Sequence, residues 1–442
     1  MMYRTFSRMA FLGALALFGG YASDLEAQDT DALIQQGKYV AEASDCSACH
    51  TVNGRQEFSG GMEFKLPVGT IYSSNITPDP VHGIGAYSEE EFSRAVREGV
   101  RRDGASLYPA MPFPSYARMS NGDIHALYVY FMKSVKPVAQ AVPANGIPWP
   151  LSIRMPMTLW RAVFSPSVTS AWKDVNRSFP SEDIARGAYL VEGPGHCGAC
   201  HSPRGMALQE KALSNGSGTL FLSGGAAIDG FIPTSLRQDQ RRGLAGWSED
   251  DIVEFLSKGR NRHGEAFGGM TDAIFHGTQH LTDADLHAIA QYLLSLQPHD
   301  LSVAKWQYDP SAAKALQAGD ASAQGAKVYV DHCAACHRTD GHGYAPAFPP
   351  LAGNPVVMSD DPASLVHVVQ SGAILPGMTK APSAFAMPAY RQMLSNQQIA
   401  DVVTFIRKSW GNNAAAVTAE TVKALEKSAP APVLQSKNLP LN

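Results

Sequence analysis

The sequence predicts an all-α chain made of three tandem domains of one design, and three observations point to it. One five-residue motif occurs three times, as Cys46-Ser47-Ala48-Cys49-His50, Cys197-Gly198-Ala199-Cys200-His201 and Cys333-Ala334-Ala335-Cys336-His337. A helix-like stretch containing a glycine precedes each copy. A long loop and then a polar-capped amphipathic stretch follow each copy. The three copies use all six cysteines of a 442-residue chain. That length suits two to four domains at roughly 100–200 residues each.

The N-terminus carries Arg4 and Arg8, a 12-residue apolar run over 9–20, and small residues at Ala22 and Ala27. This pattern predicts a cleaved signal peptide over 1–27. The run is too short for a spanning helix, which needs about 20 apolar residues, and the mature chain shows no other candidate. The first domain is expected over 28–136, with its leading helix at 32–43 (Gly37, Tyr39) and its closing helix opening at Ser120. A Pro- and Trp-bearing linker covers 137–180. The second domain covers 181–300, with Gly187 and Tyr189 in its leading helix and Thr282 capping its closing helix. A second linker spans 301–320. The third domain covers 321–411, with Gly325, Tyr329 and a closing helix from Ser395, and a mobile tail covers 412–442. Glycine inside a helix costs roughly 0.5–1 kcal/mol relative to alanine, so its recurrence predicts close packing against another helix. Asp123, Asp285 and Gln398 stand three residues past their caps, the spacing of a capping box.

C-x-x-C-H is the attachment signature of c-type haem. Both cysteines form thioethers with the porphyrin, and the histidine beside them lies under the iron. A redox dithiol would need neither the histidine nor three copies. A zinc site would pair two C-x-x-C units at close spacing, and disulfides would leave the histidines unexplained. The chain is therefore read as three cytochrome c-type domains with three covalently bound haem c groups, one each on Cys46/Cys49, Cys197/Cys200 and Cys333/Cys336. His50, His201 and His337 are the proximal ligands. Cytochromes of this kind often close the iron with methionine. Met111 and Met387 each stand before a proline and a nearby aromatic, Tyr116 or Tyr390. In the second domain Met270 is the candidate, followed by Thr271, with His263, His276 and His280 as rivals nearby. A formal net charge of −4 excludes the basic footprint of a nucleic-acid binder.

With these motifs the chain resembles the tri-haem cytochrome c subunits of bacterial membrane-bound dehydrogenases, over almost all of its length to about Trp410. The likeness is carried by 72–85 (YSSNITPDPVHGIG), 107–116 (LYPAMPFPSY), 193–204 (GPGHCGACHSPR) and 334–343 (AACHRTDGHG). Phe267–Asp272 and Gly353–Val357 look like the gluconate 2-dehydrogenase branch, and the alcohol dehydrogenase subunits are related. The resemblance implies a large flavoprotein (or quinoprotein) subunit and a small third subunit as partners. It also implies ubiquinone as acceptor, at the periplasmic face of the bacterial inner membrane, and no substrate site on this chain. Some relatives carry a hydrophobic C-terminal anchor that this sequence lacks. The apolar stretch 149–164 (WPLSIRMPMTLWRAVF) then reads as contact with quinone, lipid or the large subunit, or as packing across a seam between domains. Pro156, expected to interrupt any helix there, favours the seam.

Overall fold

The computed structural model describes residues 14–431, other than Pro67 and Leu151. It is mostly helical. Two short antiparallel hairpins interrupt the helices: Glu63–Leu66 with Gly69–Tyr72, and Ala373–Leu375 with Phe385–Met387. Of the expected signal peptide, residues 1–13 lie outside the described residues. The first leading helix runs Ala14–Ala43, with side chains described from Asp29. Among the described residues no helix is long and apolar enough to cross a membrane.

Among the described residues, buried apolar side chains gather into three large cores, each against one motif, and a smaller cluster around Ala266, Ile274 and Leu375. Cys46 lies on the core holding Ile124, Leu127 and Phe131. Cys197 lies on that of Leu286, Ile289 and Leu293, and Cys333 on that of Ile399, Val402 and Ile406. These last groups come from the closing helices Asn121–Lys133, Asp283–Ser295 and Asn396–Lys408. The glycines explain how the leading helices meet them. A Cβ on Gly37 would stand 2.0 Å from the Ala126 carbonyl oxygen, one on Gly187 2.0 Å from that of Ala288, and one on Gly325 2.1 Å from that of Asp401. Only a residue without a side chain allows such an approach. The third unit differs in detail, because Gly325, expected within its leading helix, is instead the cap of the helix Ala326–His332, at φ 82°.

Two of the three capping boxes do not form as expected. Ser395 and Gln398 make a complete one. Ser120 and Thr282 accept from the backbones of Asp123 and Asp285, but those carboxylates turn elsewhere. Asp123 accepts from the Tyr189 hydroxyl and Asp285 from the Tyr39 hydroxyl, each tyrosine reaching across from the other unit. The same hydroxyls accept the cap N–H groups of Ser120 (3.0 Å) and Thr282 (3.2 Å). A tyrosine of the neighbour thus does what the capping carboxylate would have done, and the first two units meet through a reciprocal pair of bonds.

Three further expectations are corrected. The linker 301–320 contains the helix Ser311–Gln317, whose Ala313 and Leu316 belong to the third core. The tail is not free over its described part. Its helix Ala419–Leu425 buries Val422 completely, and Val417 joins the same core. Buried His367 places its two ring nitrogens 2.6 Å from the Gly230 oxygen and 3.0 Å from the Leu425 oxygen, tying second unit, third unit and tail together. Pro156 does not break a helix. It sits in the first turn of the helix Met155–Phe164, where its missing N–H has no partner to lose.

Candidate functional site

The three motif histidines share one environment. Their Nδ1 atoms lie against backbone carbonyls: His50 on Ser74 (2.7 Å), His201 on Thr234 (2.7 Å) and His337 on Pro349 (2.9 Å). An Nδ1–H donating to a carbonyl fixes the tautomer and leaves Nε2 as the nitrogen available to a metal. Burial lowers all three imidazoles from their ordinary value, against the opposing pull of those carbonyls. Burial thus favours the uncharged imidazole, the form in which histidine binds a metal. The carbonyl of each histidine accepts from a glycine further along: Gly60 (2.8 Å), Gly224 (2.8 Å) and Gly343 (3.1 Å). All three glycines have positive φ, at 69°, 102° and 60°. Sequence reasoning missed them, because their distance from the motif differs in each unit. The repeated signal is conformational.

The six cysteines are unpaired. Burial pushes the thiols of Cys46, Cys197 and Cys333 up to about 12, so these are not the activated thiolates of a redox dithiol. A buried histidine oriented through Nδ1 beside two unpaired cysteines is a set of residues that fits covalent haem.

The candidate sixth ligands are placed unequally. Met111 lies on the core that Cys46 touches, and Met387 on the core that Cys333 touches. The aromatic after each fastens its loop to the chain just before the motif. The Tyr116 hydroxyl donates to the Ser44 carbonyl (2.8 Å), and that of Tyr390 to the His332 carbonyl (2.8 Å). Met270 has no such clasp. It is the second residue of the helix Gly269–His276 and packs with Ile274, Leu375 and Met378 on the seam to the third unit. Its histidine rivals are engaged elsewhere. His263 contacts Asp251 and stacks on Trp247, His276 contacts the Ser47 hydroxyl, and His280 reaches the Phe275 carbonyl.

The middle unit meets both others at these sites. The ring of His196, one residue before Cys197, stands edge-on to Tyr116 at 5.5 Å, and the Ser47–His276 contact crosses the same seam. On its other side the cluster around Met270 includes Leu375 of the hairpin that carries Met387. Arg260 reaches over that hairpin, 4.3 Å from the Phe385 ring.

Comparison with known proteins agrees with this donor set. A cytochrome c family model matches residues 322–410. The cytochrome c subunit of the quinone alcohol dehydrogenase of Gluconacetobacter polyoxogenes is 54% identical, over 98% of this chain and 91% of its own length. The gluconate 2-dehydrogenase cytochrome c subunit of Pantoea cypripedii is 53% identical over 94% and 93%. The fructose dehydrogenase cytochrome subunit of Gluconobacter japonicus is 34% identical over 95% and 89%. The first two identities are too close to choose between their branches.

Proposed function

We propose, from the premise that this chain belongs to the cytochrome c subunits of bacterial dehydrogenases, that it relays electrons from a large flavoprotein subunit of the gluconate 2-dehydrogenase type to membrane ubiquinone. It carries three covalent haem c groups, on Cys46/Cys49, Cys197/Cys200 and Cys333/Cys336, and works at the periplasmic face of the inner membrane with a small third subunit. Bound haem supplies a one-electron iron couple.

The residues of the chain supply the rest. His50, His201 and His337 present Nε2, and their carbonyl partners keep the rings from turning. Met111, Met270 and Met387 are the residues that would supply the second ligand of each haem iron; ligated in this way the irons would exchange electrons and bind no substrate, and substrate oxidation would belong to the partner. The single observation that carries this reading is the threefold recurrence of motif, Nδ1-to-carbonyl contact and glycine clamp. The seams support a relay because the middle unit touches the first beside its own motif, through His196 on Tyr116, and the third beside Met270.

A second reading, a quinoprotein alcohol dehydrogenase as the electron source, is favoured by the alcohol dehydrogenase relative. One experiment separates the two. The native complex is purified from detergent-solubilised membranes through a tag on this chain, its subunits are identified, and haem reduction is followed with D-gluconate and with ethanol. A flavoprotein partner and reduction by gluconate support the first reading. A quinoprotein partner and reduction by ethanol select the second, and a chain that no partner reduces refutes both.

A further inference from the structure

The helix Met155–Phe164 carries apolar side chains on its outer face as well as on its inner one. Its inner face packs on the first two units. Trp160 lies edge-on to Phe113 at 6.1 Å and donates to the Ala207 carbonyl at 2.8 Å, while Arg161 reaches the Ser106 hydroxyl. Its outer face is apolar and bare. Met155, Leu159 and Val163, spaced four apart and so on one side of the helix, are 75%, 67% and 63% exposed, and Trp149 just before them is 81% exposed. The turn that Trp160 grips adds exposed Met206 and Leu208. Isolated exposed apolar side chains are ordinary, but a contiguous set marks a surface that meets something apolar.

Charge says what that is. From residue 124 to residue 173 the chain has no Asp or Glu, yet it carries Lys133, Lys136, Arg154, Arg161 and Lys173, in a protein whose net charge is −4. Lys136 and Lys173 are exposed, and Arg154 caps the helix over the Tyr108 ring. An apolar stripe with an indole at one end, set in an acid-free cationic segment, is the pattern of a helix lying in the interface of an anionic bilayer. Among the described residues no helix is long and apolar enough to cross a membrane.

We infer that the helix Met155–Phe164, with Trp149, Met206 and Leu208, seats this chain on an anionic lipid surface. The inference rests on the reading that the chain works at a membrane, and it is tested apart from the choice of dehydrogenase. The full-length holoprotein is sedimented with vesicles of phosphatidylethanolamine containing a quarter phosphatidylglycerol, and with pure phosphatidylcholine vesicles. The wild-type chain is expected to bind the anionic vesicles and to release as salt is raised. Leu159→Glu with Val163→Glu should weaken that binding at least about tenfold, since two acidic groups replace two apolar contacts at a charged surface. Leu301→Glu, at another exposed leucine, should leave it unchanged. Unaltered haem absorption and circular dichroism show that the double variant is folded. A wild-type chain that ignores anionic vesicles, or a folded double variant that binds as well as wild type, overturns the inference. So does a double variant that keeps the vesicles and loses the co-purifying dehydrogenase subunit, which would assign this face to a protein. A chain that binds vesicles but has no dehydrogenase partner would sink the relay and leave the lipid surface standing.

Discussion

Replacing Gly187 by alanine sets two known effects against each other. Helix propensity alone predicts a gain of roughly 0.5–1 kcal/mol, because glycine is a poor residue inside Glu182–Glu192. The packing predicts a loss, since the new Cβ would stand 2.0 Å from the Ala288 carbonyl oxygen, where ordinary contact begins beyond 3.4 Å. The partner is backbone of the closing helix, so neither helix can yield by turning a side chain; they must move apart by more than an ångström. Overpacking of that kind costs about 1–3 kcal/mol and often more for backbone, which leaves a net loss of about 1–2 kcal/mol. For a unit of this size that lowers its melting temperature by roughly 5–10 °C. Calorimetry of the holoprotein reads the shift directly. Gly122→Ala is the control. It lies in the closing helix of the first unit with only the Ser120 hydroxyl 3.7 Å away, so propensity should win and stability should rise. A Gly187→Ala protein as stable as wild type, or more so, would refute the close helix contact on which the account of all three units depends.

The remaining predictions concern the seams, a buried carboxyl and the tail. Tyr39→Phe removes the hydroxyl that donates to Asp285 and accepts the Thr282 N–H, and should cost about 1.5 kcal/mol. A double-mutant cycle with Asp285→Asn should be non-additive, and strict additivity would show the contact to be idle. Burial pushes the Glu210 carboxyl up to about 7, against the pull of Arg204 and Arg118, and its Oε2 is buried without a partner. The folded chain therefore holds that proton more tightly than the unfolded chain. The stabilisation is full below about pH 4 and is lost as pH rises towards 7. Glu210→Gln should flatten this slope in melting temperature against pH, and an unchanged slope would assign it to other groups. Val422→Ala should destabilise the third unit by about 1–3 kcal/mol and speed proteolysis after residue 411; equal rates would mean that the tail does not dock.

What the sequence revealed and what it hid follow one physical division. The glycines at 37 and 187 were legible because glycine weakens a helix interior, and in both units a backbone carbonyl of the closing helix takes up the space a side chain would need; Gly325 meets the Asp401 carbonyl in the same way, but from the cap position ahead of its helix. The motif histidines were legible because each stands at a fixed local spacing from its two cysteines. The clamps at Gly60, Gly224 and Gly343 were not, since they are defined by φ and by a hydrogen bond across loops of differing length. Tyr39 and Tyr189 could be seen to recur, but their carboxylate partners lie in another unit, hundreds of positions away for Tyr39, and no periodicity reports that. Asp123 and Asp285 accordingly looked like capping residues and proved to be seam residues. The tail looked mobile because its apolar residues are sparse. Its order comes from Val417 and Val422 entering a core already built by the closing helix Asn396–Lys408. Pro156 misled because proline breaks a helix only beyond the first turn.

Identity with the alcohol and gluconate dehydrogenase subunits runs through nearly the whole chain, so the branch must be decided by the partner. The relay itself depends on something nearer. Each motif must carry its own haem, or the middle unit cannot join the other two. The most direct test is the intact mass of the denatured chain purified from its native host. The account predicts three haem masses on the mature polypeptide, all retained after acid extraction because each is held by two thioethers. A mass showing fewer than three, or showing Cys46/Cys49, Cys197/Cys200 or Cys333/Cys336 free or joined as a disulfide, would contradict it.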